Sequence, residues 1–82
     1  MANRSLSVTE TMKLYKGHGC KVVFVDKTNY LKVFRNDTER RHWFQHCHKG
    51  KRDRFDAITV GRGRTRLGYR DMPDDEFYGP LD

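Results

Sequence analysis

The stretch Cys20-Lys21-Val22-Val23-Phe24-Val25-Asp26-Lys27-Thr28-Asn29-Tyr30-Leu31-Lys32-Val33-Phe34-Arg35 holds two short apolar runs around four polar residues. Both runs are rich in β-branched and aromatic side chains, and Asp26–Asn29 has the composition of a tight turn. The pattern predicts a β-hairpin with strands Cys20–Val25 and Tyr30–Arg35. Helical spacing also fits positions 30, 31, 33 and 34, which would leave Val22–Val25 as a parallel strand. The hairpin is preferred because the apolar stripe does not continue in phase through Asn36–Arg41.

Upstream, Ser7-Val8-Thr9-Glu10 has the form of a capping box, with Ser7 as N-cap and Glu10 reaching back to its amide. A helix from Val8 to about Lys16 follows, with Val8, Met12 and Tyr15 on one face, and Gly17 and Gly19 end it. Downstream, Asn36-Asp37-Thr38-Glu39 places acids at the start of a second expected helix, which runs to His48 or Lys49 before Gly50. On it, Trp43, Phe44 and Cys47 share a face opposite Arg41, His42, Gln45 and Lys49. Phe55–Val60 is expected as a third strand, Gly61-Arg62-Gly63-Arg64 as a turn, and Thr65–Arg70 as a fourth strand.

The order α-β-β-α-β-β predicts an α+β fold of two layers, a small antiparallel or mixed sheet with two helices on one face. Residues 1–72 form a single basic domain in this scheme, and residues 73–82 an acidic C-terminal tail. With 82 residues, ten of them aromatic, one core is expected. The longest apolar run, Val22–Val25, is too short to span a bilayer, and the first six residues hold no apolar run of signal-peptide length. A cytoplasmic protein without membrane association is expected, with Cys20 and Cys47 as thiols rather than a disulfide.

Charge is unevenly distributed. Residues 1–34 carry a net +4, residues 35–70 a net +7 and residues 71–82 a net −5, within an overall +6. The basic belt comprises Arg40, Arg41, Lys49, Lys51, Arg52, Arg54, Arg62, Arg64, Arg66 and Arg70. Arginine grips phosphate and carboxylate through paired, charge-assisted hydrogen bonds, so such a belt points to a polyanion. If these side chains gather on one side, the expected function is a small non-enzymatic binding protein that contacts nucleic-acid backbone. A protein–protein module or inhibitor, docking the same face on an acidic or nucleic-acid-binding partner, is the alternative. Tyr30 and Tyr69 are candidates for stacking on bases.

Other chemistry is less supported. His42 and His46, four apart on the expected helix, could face one ion, and His18 and Cys20 could add ligands. No paired Cys-x-x-Cys spacing accompanies them, so no metal and no cofactor are assigned. A minimal histidine nuclease is a further alternative, with His18, His42, His46 or His48 beside Asp53 or Asp56. No phosphate loop or nucleophile motif supports it, and no catalytic residues are assigned. The tail has two readings: its acids compete for the belt, or Phe77 and Tyr78 dock on the core.

Overall fold

The hairpin forms as expected and gains a third strand along its open side. The computed structural model describes residues 3–35 and 41–82. Its elements are β1 (Leu6–Ser7), α1 (Val8–Gly17), β2 (Lys21–Val25), β3 (Tyr30–Phe34), β4 (His42–His46), β5 (Arg54–Phe55), α2 (Ala57–Arg66) and α3 (Asp74–Phe77), with 3-10 turns at Gly50–Arg52 and Gly79–Leu81. A three-stranded antiparallel sheet runs β2-β3-β4, and β1 pairs antiparallel with β5 in a separate two-stranded ribbon. The α+β class stands, and the expected element order is corrected from the second helix onward.

The capping box at Ser7 is present in both halves: Glu10 N–H donates to Ser7 Oγ at 3.1 Å, and Ser7 N–H donates to Glu10 Oε1 at 2.9 Å. Val8, Leu14 and Tyr15 of α1 are fully buried. Gly17 packs against Pro80, where a Cβ would lie 2.4 Å from the proline ring, so the chain end closes over the end of α1.

The stretch His42–His46, expected within a helix, is strand β4. The expected helix start at Asn36–Glu39 lies outside the described residues. Trp43 pairs with Val33 and Phe44 with Lys32, so neighbouring aromatics point to opposite faces. A two-stranded hairpin is marginal by itself, and a third strand satisfies the outer backbone groups of β3. The adjacent apolar pair Trp43-Phe44 fits a helical stripe and a two-sided strand equally, which is why spacing alone misled.

The segment Ala57–Arg66, expected as strand and turn, is helix α2. Asp56 caps it by accepting from Thr59 N–H at 2.7 Å. Val60, Gly63, Arg64 and Leu67 form its inward stripe at helical spacing. Gly63 is required by close approach: a Cβ there would fall 2.6 Å from the Trp43 ring. Residues 65–70, expected as a fourth strand, finish α2 and its C-terminal turn.

Leu31, Val33 and Trp43 face the helices and are buried, while Tyr15 meets the Trp43 ring edge-on at 6.1 Å. Helices and the chain ends therefore occupy one side of the sheet. Residues 73–82, expected as a tail, pack on this body: Phe77 and Tyr78 are 0% and 1% exposed. Cys20 and Cys47 are both buried thiols. Among the described residues no helix is long and apolar enough to cross a membrane.

Two predictions follow from this packing. Gly63→Ala gains about 1 kcal/mol of helix propensity but drives a methyl into a ring fixed between Tyr15 and Phe55. A net loss of about 1–2 kcal/mol is expected, read as a lower urea midpoint by Trp43 fluorescence. The second concerns pH. Backbone N–H groups of Ser7, Arg54 and Thr59 hold the Glu10, Asp53 and Asp56 carboxyls below their ordinary values. Folded values below unfolded ones mean stability is present at neutral pH and lost as pH falls through the folded values. The urea midpoint should hold at neutral pH and drop on acidification below 4.5, the ordinary glutamate value. The gap between wild type and Asp56→Asn should narrow over the same range.

Candidate nucleic-acid interface

Placement of the basic belt follows from which face of each element its side chains leave. On α2, Arg62 and Arg66 are one turn apart and exposed, in line with Ile58, which is 69% exposed. They border a groove of about 270 Å³ against His42, Trp43, Phe44 and Gln45 of β4. On the other side they border a concavity with Asn3, Ile58, Gly61 and Thr65. At the C-terminus of α2, Arg35 Nη1 donates to the carbonyls of Leu67 (3.0 Å) and Gly68 (3.2 Å). The Arg41 guanidinium lies against Gly68 beside it. The last carbonyls of a helix carry partial negative charge, which stabilises two guanidiniums held so close. Arg70 follows on the next turn and is exposed.

Lys49, Lys51 and Arg52 form a second exposed group on the turn after β4. Lys51 Nζ stands 5.6 Å from the Phe24 ring. Phe24 and Val25 pair with Leu31 and Tyr30, so this group lies at the Tyr30–His46 end of the sheet. The Arg35–Arg41 pair lies at the Phe34–His42 end, linked by an Arg35 N–H bond to Arg41 O of 3.0 Å. Four strand residues, about 13 Å, separate the two ends. The belt is thus two groups flanking the sheet.

Arg64 belongs to neither. Expected at the surface on a turn, it is 0% exposed because α2 carries it on the inward face. Its Nε donates to Tyr69 O (3.1 Å) and its Nη1 to Asp74 Oδ1 (2.7 Å) and Asn3 Oδ1 (3.3 Å). Its Nη2 donates to Met72 O, and its guanidinium carbon sits 4.3 Å from the Phe77 ring centre. It is a structural cation and leaves the candidate set. Arg54 stays exposed but is tethered, donating to Ser5 Oγ (2.9 Å) and Ser5 O (3.1 Å) with Glu10 at 3.7 Å. Arg40 lies outside the described residues. Among the described residues, the ion pairs are Arg4–Asp82, Arg54–Glu10 and Arg64–Asp74; none engages Arg41, Arg62, Arg66, Arg70, Lys49, Lys51 or Arg52.

The outer face of the three-stranded sheet was missed by charge counting. Register places three cross-strand rows there: Val25-Tyr30-His46, Val23-Lys32-Phe44 and Lys21-Phe34-His42. Tyr30 is 39% exposed and Phe44 45%. Phe44 meets Phe34 edge-on at 5.4 Å and His42 at 4.8 Å, and Tyr30 meets His46 at 5.2 Å. Tyr69, the other stacking candidate, is 5% exposed and lies beneath the Arg35 guanidinium at 4.4 Å.

His42 and His46 are four apart on a strand, roughly 13 Å, too far to share an ion. His18 is turned elsewhere, its Nε2 2.6 Å from Phe77 O and its ring stacked on Phe77. Among the described residues no group of three or more His, Cys, Asp or Glu is arranged to hold a metal. Comparison with protein-family models, curated proteins and solved structures finds no match.

Removing Arg64 tests its reassignment from surface to core. Arg64→Ala removes the Asp74 ion pair, takes the Arg64 donor from the Tyr69 and Met72 carbonyls and leaves a cavity under Phe77, so a loss of about 3–5 kcal/mol is expected. For a domain this small that approaches the whole stability, and urea unfolding should show little folded protein. Arg62→Ala should leave the urea midpoint unchanged within about 0.5 kcal/mol.

Proposed function

We propose that this protein binds nucleic acid through its phosphate backbone, without catalysis, using Arg41, Arg62, Arg66 and Arg70 as one contact and Lys49, Lys51 and Arg52 as another. The observation that carries the proposal is the Arg62–Arg66 ridge. It consists of two exposed guanidiniums one helical turn apart, beside a groove whose lining holds no carboxylate. Each can form a two-pronged bond to a phosphate, and neither is engaged by an acid among the described residues. The Asp56 carboxyl is held low chiefly by hydrogen bonds from the Thr59 amide and hydroxyl, with Arg62 a lesser, longer-range influence, so Asp56 is already occupied. The groove contains His42 without a carboxylate in its lining to orient it, which suits anion binding rather than acid–base chemistry.

A protein partner with an acidic face is the second reading, and Ile58 favours it. An apolar side chain 69% exposed, in line with two arginines, has the chemistry of a small protein-docking patch. Oligonucleotide binding separates the two. On the nucleic-acid reading, log affinity for a labelled random oligonucleotide falls linearly with log salt between about 50 and 200 mM. Arg62→Ala/Arg66→Ala should weaken binding across all sequences alike and reduce the magnitude of that slope by about 1.5–2. Absence of oligonucleotide binding at low salt would overturn the proposal in favour of a protein partner.

A further inference from the structure

The outer sheet face has a composition that solvent exposure alone does not explain. Its nine positions hold three aromatic rings, two lysines, two histidines and two valines, and no carboxylate. Tyr30 and Phe44 each expose about two-fifths of their surface, so the rings are not there to fill a core. Lys32 Nζ stands 5.3 Å from the Phe44 ring, and Lys21 Nζ 6.0 Å from the Phe34 ring. The face therefore alternates flat apolar surfaces with ammonium groups.

We propose that this face is a stacking platform for the unpaired bases of a single-stranded nucleic acid, with Phe44 and Tyr30 as the two stacking stations and Lys32 and Lys21 holding adjacent phosphates. It deepens, and rests on, the nucleic-acid reading above. Base faces are accessible only when strands are unpaired, since a duplex buries them against one another. Tyr30 and Phe44 stand in adjacent rows of the outer face, two residues or about 7 Å apart along the strands, with Lys32 paired beside Phe44, which suits successive bases splayed along a strand. The two basic groups lie near the same two ends of the sheet, on its helix side, and add long-range attraction for a polyanion to the lysines of the platform itself. A second copy of this chain fits the face less well. Two such faces in contact would set lysines against lysines with no acid to receive them.

Binding measured by fluorescence anisotropy decides the matter, with three probes of equal length: oligothymidylate, an abasic phosphodiester strand and a duplex. The wild-type protein should bind oligothymidylate more tightly than the abasic strand, by roughly 5- to 100-fold. Phe44→Ala should abolish most of that difference while leaving abasic affinity unchanged, and Phe44→Trp should retain it. Tyr30→Ala, at an independent exposed position, should reduce it as well, with Trp43 fluorescence confirming the fold. If the three probes bind alike, the backbone reading stands and the platform falls. If none binds, both fall. A wild-type dimer in sedimentation that Phe44→Ala separates would assign the face to a second copy and overturn the platform.

Discussion

The Arg64 guanidinium, sealed beneath α2, joins three segments that share no strand pairing. Through its hydrogen bonds it holds the chain after α2 (Tyr69 and Met72), the start of α3 (Asp74) and the N-terminal arm (Asn3). Phe77 and Tyr78 lie under its plane at 4.3 and 5.8 Å. Taking a cation out of water is tolerable only when its donors are met and a counter-charge is near. Four of its five N–H groups have acceptors here, and Asp74 supplies the charge. The aromatic layer over α1 depends on this arrangement, because Phe77 also contacts Tyr15 and His18. An ordinary hydrophobic residue at position 64 would fill the space but take from the carbonyls of Tyr69 and Met72 the donors that Arg64 supplies.

That constraint also decides how the sequence could be read. The capping box at Ser7 and the hairpin are local features: their signals lie within four residues of the groups they organise, and both were legible. α2 was not, because its buried stripe consists of Val60, Gly63, Arg64 and Leu67, only two of which look apolar. The glycine is small because Trp43 approaches it, and the arginine is buried because residues 69–74 supply acceptors. Both reasons are tertiary. The strand β4 failed for a related reason. Trp43 and Phe44 are adjacent and both apolar, and only pairing with β3 reveals that one faces the core and the other solvent.

The same tertiary facts redistribute the charge. Counting along the chain gives a strongly basic central region and an acidic end, which suggests a tethered competitor for the basic surface. In the fold, Asp74 serves Arg64 and Asp82 meets Arg4 at 3.3 Å, while the aromatics beside them are buried. The acidic segment is thus held by its own contacts at the α1 side of the molecule. With Arg64 interior and Arg54 tethered, the remaining described cations of the belt fall into two groups rather than one continuous surface.

Two groups at the ends of a surface place different demands on a ligand than one patch does. Arginines at both ends attract a polyanion over a Debye length of about 8–10 Å but do not by themselves select what lies between the phosphates. Selection requires a short-range contact, and the surface between the groups offers rings rather than hydrogen-bonding amides or acids. Stacking tolerates any base because every base has a flat face, so binding as proposed would be indifferent to sequence and sensitive to strandedness. A sheet with its helices on one side leaves its other side open. Polar residues would keep that side soluble at no penalty, whereas Tyr30 and Phe44 expose apolar surface to water in the unbound protein. On the proposed reading, these are the two rings that a base would cover.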